Sequence, residues 1–170
     1  STHGINLLRL VALRADAGML ALPTRVTVVS DEAATSVLDG GNGLGPVAAQ
    51  RALDTAVRKA AEYGIGMAAL RNTNNIGALG CFTQAAARKG YIAVVTTNGN
   101  PSVAPFGAAD PFFGTNPISF AIPRGARDPI VLDMSSSIVA RGKIRLASLG
   151  GEPIPEGWAL DGEGNPTTDP

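Results

Sequence analysis

Residues 46–63, PVAAQRALDTAVRKAAEY, most constrain what this chain can fold into, because Ala, Leu and Val recur there at three- and four-residue spacing. Pro46 suits a first helical turn and Gly64 a stop, so the run predicts one amphipathic helix with a single face on a core. A buried-strand candidate follows at once, IGMAALR (65–71), and then the loop RNTNNIGALG (71–80). A short Ala-rich helix over 78–89, ended by Gly90, leads into the strand YIAVVTTN (91–98). This β-loop-α-β order predicts parallel strands joined by a helical crossover, hence an α/β fold.

The flanks agree with that class. INLLRLVALRADA (5–17) has helical spacing and is closed by Gly18 and Pro23. RVTVVSD and ATSVLDG read as two short strands, the second closed by Gly40, Gly41 and Gly43. After an irregular Pro-, Gly- and Phe-rich stretch (99–117), PISFAIP and PIVLDMS read as further strands. SSSIVARGKIRLA (135–147) reads as a helix with a polar start, and the tail from 151 as turns.

Composition removes several function classes. The 170 residues are 45% hydrophobic, enough for a sizeable core in one domain. Acidic and basic side chains balance at 14 each with no basic block, which argues against nucleic acid, since such binding leans on neutralising phosphates. No apolar run approaches the roughly 20 residues needed to span a bilayer. Cys81 stands alone, so no disulfide framework exists, as suits a reducing cytosol. No Cys or His pair has metal-ligand spacing, so no metal is expected. The chain opens on STHG without Met and closes on GNPTTDP, a turn-rich run; both ends read as cut, and a piece of a longer protein is the expectation.

Several motifs bear on chemistry. GIGMAA (64–69) has the letters of a dinucleotide fingerprint in the wrong context, since it follows a helix and opens a strand. A helix C-cap explains Gly64 more simply. GNGLG (41–45) leads into a helix with misspaced glycines. His3 is the single histidine, so an imidazole acid or base within these residues has to be His3, although a lone histidine is more often an ordinary residue. Asp133 sits at the carboxyl end of a strand, where open α/β sheets place ligands. The serines after it offer hydroxyls and helix N-terminal amides to a phosphate or ribose; helix capping by Ser135 or Ser136 is the competing reading. GTNP (114–117) sets a hydroxyl and a carboxamide beside a proline that favours an extended Asn116, either to hold a carboxylate or to start a strand. NTNNIG is explained equally by turn-making, because Asn tolerates left-handed backbone and Gly allows close approach.

Taken in order, STHGI (1–5), DGGNGLGPV (39–47), NTNNIG (72–77), VAPFG (103–107), GTNPISFAIP (114–123), LDMSSSIVARGKI (132–144) and GEPIPEGWALDGEGNPTTDP (151–170) resemble the malate/L-lactate dehydrogenase family of the non-Rossmann type. Its relatives include ureidoglycolate and sulfolactate dehydrogenases, diketogulonate reductase and cyclic imine reductases. The resemblance implies a family-specific mixed sheet flanked by helices and a non-Rossmann NAD(P)-binding fold. Within it, 1–45 would belong to a substrate and dimer lobe, 46–150 to the NAD(P)-binding core and 151–170 to a turn-rich connection. It implies NAD or NADP as cofactor, a small 2-oxo acid, 2-hydroxy acid or cyclic imine as substrate, a homodimer and a cytoplasmic setting. His3 falls on the family's proton donor and Thr2 on the serine that partners it. Lys143 falls on a position treated in some relatives as part of a proton relay. Thr115, with Asn116 beside it, falls on a substrate contact. Asn75, Ile76, Gly77, Ala78 and Leu79, then Asn98, and then Asp133, Met134 and Ser135 fall on or near cofactor contacts.

Departures from the family pattern matter too. Many relatives carry histidine where this chain has Asn75, and a carboxamide does not titrate near neutral pH. Four residues after the histidine of SHG, relatives commonly carry a carboxylate-clamping arginine; here it is Leu7, and Arg9 on a helix would face elsewhere. Loss of such a clamp weakens an anionic substrate by about 1.5–3 kcal/mol. The run before GTNP is altered as well, to GAADPFF. A binding-only relative that keeps the fold is therefore the alternative to an active enzyme.

Overall fold

A computed structural model describes residues 7–170, so His3 and Thr2 lie outside the described residues. The elements run α1 (Leu8–Asp16), β1 (Thr27–Glu32), β2 (Thr35–Gly43), α2 (Gly45–Tyr63), β3 (Met67–Thr73), α3 (Gly80–Arg88), β4 (Ala93–Thr96), β5 (Ile118–Arg124), β6 (Arg127–Met134), α4 (Arg141–Gly150), β7 (Ala159–Leu160) and β8 (Pro166–Thr167). The strands form three sheets, in the orders β1-β2-β3, β4-β5-β6 and β7-β8. The class is thus the expected mixed α/β with helices flanking sheets. Among the described residues no helix is long and apolar enough to cross a membrane. Two compact units divide the chain. The first runs to Ala93 and includes Ala121–Val131; the second holds Val94–Phe120 and Leu132–Pro170.

In the first unit α2 forms where the spacing predicts it, with Pro46 in its first turn and Gly64 at its end in the left-handed conformation. Its inward stripe is Ala48, Ala49, Ala52 and Leu53, small side chains that let the helix lie close on the sheet. Beneath it, β2 alternates inward and outward: Ser36 and Leu38 are buried, and Leu38 has no exposed surface. Burying such a leucine contributes about 1.5–3 kcal/mol. β1 and β2 pair antiparallel through a two-residue turn, whereas β2 and β3 pair parallel, from Thr35 opposite Met67 to Asp39 opposite Arg71. The parallel pair needs a crossover, and α2 supplies it.

That arrangement corrects one expectation. The crossover was expected between β3 and β4 through α3, but those strands belong to different sheets. A helix of nine residues rises only about 13 Å, against roughly 28 Å for the nineteen of α2, so α3 is too short to carry the chain back along a seven-residue strand. The strand edges differ as well: β3 continues through Asn72 and Thr73 into the polar loop, and β4 is trimmed to Ala93–Thr96.

In the second unit, residues 99–117 are irregular as expected, carrying an isolated bridge between Val103 and Phe113. The helix expected over 135–147 begins only at Arg141, with Ala140 as its cap. The hydroxyls of Ser135, Ser136 and Ser137 explain the delay. Each donates to a main-chain carbonyl, of Ser137, Thr115 and Val139 respectively, and so competes with helix formation. These serines neither cap a helix nor open one. The tail, expected as turns, also contains the β7–β8 hairpin. Asp161 closes its loop by accepting from the amides of Glu163 and Asn165, each at 2.9 Å.

Candidate functional site

The loop after β3 is held by side chains from the end of β2. Between the pairs Asp39–Arg71 and Gly43–Thr73 the ladder is interrupted, so that residues 40–42 oppose Asn72 alone. Three residues there have positive φ: Gly41 at 57°, Asn42 at 54° and Asn72 at 49°. Asp39 fills the gap left by the missing main-chain bonds. Its Oδ1 accepts from the Gly41 amide and from Asn72 Nδ2, both at 2.9 Å, and its Oδ2 accepts from Arg71 Nε at 3.1 Å. Those donors, the Gly41 amide first, hold the Asp39 carboxyl below the usual aspartate range. Asn74 adds a second tie: its Nδ2 lies 3.0 Å from both the carbonyl and the Oδ1 of Asn42, and 3.1 Å from the Gly43 carbonyl.

The loop also meets the start of α2. A Cβ at Gly45 would overlap the carbonyl oxygens of Asn74 and Asn75, so only glycine permits this approach. Asn75 then turns the chain, its Oδ1 accepting from the Gly77 amide at 2.8 Å. Its carboxamide is committed to shaping the turn. Gly77 has φ +82° and nothing within 4 Å of the place a Cβ would occupy, so the loop presents open main chain there. Ile76 and Ala78 are half-buried, whereas the Leu79 side chain is 1% exposed and belongs to the core. Helix α3 starts next, with no side-chain cap and no acidic residue in its first turn. The amides of Cys81, Phe82 and Thr83 donate to the carbonyls of Ala78 and Leu79, so main chain satisfies the start of α3 and the open main chain at Gly77 is what the loop presents to an anionic group.

A second group of candidates gathers in the other unit. The Gly99 amide, next to Asn98, donates to Asn116 Oδ1 at 2.9 Å. Asn116 has φ +29°, which corrects the extended conformation expected before a proline: its side chain is tied back to Gly99, and asparagine tolerates positive φ. The carbonyl of Thr115 accepts from both the amide and the hydroxyl of Ser136, at 2.9 and 3.0 Å. GTNP and the segment after β6 are thereby joined, bringing Thr115, Asn116, Asn98 and the Asp133–Met134–Ser135 strand end into one neighbourhood. Asp133, Met134 and Asn98 are exposed; Thr115 and Ser135 are half-buried. Lys143 is exposed on α4, its Nζ 5.9 Å from the centroid of the Trp158 ring.

Sequence reasoning gave no individual role to Asp39, Asn42 or Asn74, and it read Ser136 as a ligand donor or helix cap rather than as a tie to Thr115. The turn chemistry of DGGNG was legible, but the partners lie 32 or 33 positions away for Asp39 and Asn74 and 21 for Ser136. Among the described residues no group of His, Cys, Asp or Glu is placed to hold a metal ion.

Each unit carries polar loops at its strand ends, and a helix C-cap stands where a Rossmann fingerprint would need a phosphate turn, which defines an α/β fold of non-Rossmann type. The chain belongs to the malate/L-lactate dehydrogenase family, whose model matches residues 1–170. It is 41% identical over 172 residues to (2R)-3-sulfolactate dehydrogenase (NADP(+)) from Chromohalobacter salexigens, covering 100% of this chain and 51% of that protein. Among solved structures it superposes on malate dehydrogenase from Entamoeba histolytica with a TM-score of 0.94 at 32% identity, covering 99% of this chain and 47% of the other. On delta1-piperideine-2-carboxylate reductase from Pseudomonas syringae pvar. tomato the TM-score is 0.92 at 31% identity, over 99% and 51%. The chain therefore spans about half the length of the relatives it matches.

Proposed function

We propose that this chain is part of an NAD(P)H-dependent oxidoreductase that exchanges a hydride between the nicotinamide and a small 2-oxo acid or its 2-hydroxy counterpart, or a cyclic imine carboxylate. Family membership along residues 1–170 is the observation that carries this reading. The names of the relatives span the same substrate range, and one of them specifies NADP(+). The nicotinamide, when bound, supplies the hydride. His3 gives the proton to the carbonyl oxygen or imine nitrogen, and the Thr2 hydroxyl orients it. Lys143 takes the relay position. Thr115 and Asn116 hold the substrate, and Asn75–Leu79, Asn98 and Asp133–Ser135 hold the cofactor. Residues 1–45 serve as substrate and dimer lobe, 46–150 as nucleotide core and 151–170 as connection, in a cytoplasmic homodimer. The loop at Gly77 supports the cofactor assignment, being rigidly tied yet open on one side.

The test is loss of nicotinamide absorbance when the full-length protein is given NADH or NADPH with a panel of 2-oxo acids and cyclic imines. Turnover abolished by His3→Ala is the expected result; a folded protein that turns over no panel member removes the reading. A second reading, a relative that binds cofactor without catalysis, is favoured by Asn75, whose carboxamide is committed to the Gly77 amide, and by Leu7 in place of a clamp. Calorimetry separates the two: cofactor affinity without turnover selects the second.

A further inference from the structure

We infer that Asp39 is a positioning residue for the cofactor loop, holding the 72–77 turn in the shape that binds the nucleotide. The inference rests on the reading above that this loop meets NAD(P)H. Asp39 lies at the last regular pair of the parallel ladder, directly opposite Arg71. Beyond it the main chains of β2 and β3 stop exchanging regular hydrogen bonds until Gly43 meets Thr73. Pairing between β2 and β3 therefore does not fix the backbone of residues 40–42 and 72, three of which have positive φ; on its other side Asn42 accepts from the Ala21 amide at 2.9 Å and donates from Nδ2 to the Met19 carbonyl at 3.2 Å.

One carboxylate takes over that task with three donors: the Gly41 amide, Asn72 Nδ2 and Arg71 Nε. It joins both sides of the gap, Gly41 on one and Arg71 with Asn72 on the other. Asn74 repeats the pattern one step on by donating to Asn42 and Gly43. Since Asn74 and Asn75 also press on Gly45, any drift of Asn72 moves the start of the turn that ends at Gly77. Binding to a loop already in its bound shape avoids the ordering cost that a slack loop incurs, so loosening Asp39 should appear first in cofactor affinity. The lowered pKa of the Asp39 carboxyl, held down first by the Gly41 amide, fits a carboxylate spent on three donors.

The experiment uses full-length protein with Asp39→Ala and Asp39→Asn. KM for NADPH and NADH, kcat at saturating cofactor, and amide hydrogen exchange are measured for each. Asp39→Ala should raise the cofactor KM at least about tenfold while kcat changes less than about threefold. Exchange should rise at 72–77 and stay unchanged in the middle of α2. Asp39→Asn keeps an oxygen for Gly41 and Asn72 but loses the charge facing Arg71, so it should fall between wild type and Asp39→Ala. It also serves if the alanine variant fails to fold. Unchanged KM, or kcat and KM shifting together with loss of protection in α2, overturns the inference, because that pattern marks general loosening. A wild-type protein that binds neither nucleotide removes the oxidoreductase reading and the cofactor role of Asp39 with it. The exchange pattern then still decides whether Asp39 holds the turn.

Discussion

Lys59 Nζ lies 2.7 Å from Asp31 Oδ1, with the lysine side chain 4% exposed. The same ammonium donates to the carbonyls of Glu32 and Ala33, at 2.6 and 2.9 Å, so each of its three hydrogens has an acceptor. A helix residue thus holds the turn between β1 and β2. Lys59→Met keeps the aliphatic stem and removes the donors. Each carbonyl bond to the charged ammonium contributes about 1.5–3 kcal/mol to the expected cost. Thermal melting of the full-length protein checks it; an unchanged midpoint would show that the hairpin holds without the lysine.

Gly45 and Gly77 predict opposite kinds of failure. Ala at 45 collides with the main-chain carbonyls of Asn74 and Asn75, neither of them a flexible side-chain end. Overpacking of this sort costs typically about 1–3 kcal/mol, and the 74–75 turn must move. Ala at 77 meets open space and bears only the left-handed backbone penalty, about 1–2 kcal/mol. Calorimetric melting with cofactor titration distinguishes them: Gly45→Ala should lower both stability and affinity. Gly77→Ala should disturb affinity in excess of its stability cost if the nucleotide approaches there.

Acid should release the Asp39 clasp. Its carboxyl binds a proton less readily in the fold than in the unfolded chain. The associated stability is therefore complete above the ordinary aspartate value of about 4, and it is lost as pH falls through the lower folded value. Protection factors at residues 72–77, taken relative to the unstructured exchange rate at each pH and followed downward from neutral pH, should fall in the wild type below about pH 4. Asp39→Asn should lack that step. A wild-type profile that stays flat while the rest of the fold persists would contradict the assignment.

Thr73 Oγ1 is buried without a hydrogen-bond partner, pressed against Gly40. An orphaned hydroxyl costs about 1–3 kcal/mol, whereas an apolar group of the same shape carries no such penalty. Thr73→Val should be neutral or stabilising by denaturant unfolding. A clear loss of stability would mean that the hydroxyl has a partner in solution.

Legibility in the sequence followed the range of the interactions. Helix α2 and strands β1 and β2 were readable because periodicity, Pro46 and Gly64 act within a few residues. The pairing of β3 was not. Two successive strand–helix–strand patterns look alike in one dimension, and only the length of the crossover helix separates them. Asn116 was misjudged because the preference before proline is local, while its side chain answers to Gly99, 17 residues earlier. Ser135–Ser137 have the letters of a helix start, but their hydroxyls found carbonyls instead. The family's motifs located the candidate loops; the roles of Asp39 and Asn74 depend on partners that no local pattern specifies.

The clasp between 39–45 and 71–77 has a practical consequence for anyone who would re-engineer the 72–77 loop in this family. A loop fastened by its neighbour's side chains cannot be transplanted alone. Grafting a relative's counterpart of NTNNIG onto this scaffold would leave the new residues facing Asp39, Asn42 and Gly45, whose contacts here are with Asn72, Asn74 and Asn75. The two segments form one exchangeable cassette, and chimaeras that carry both should retain affinity where single-loop swaps lose it.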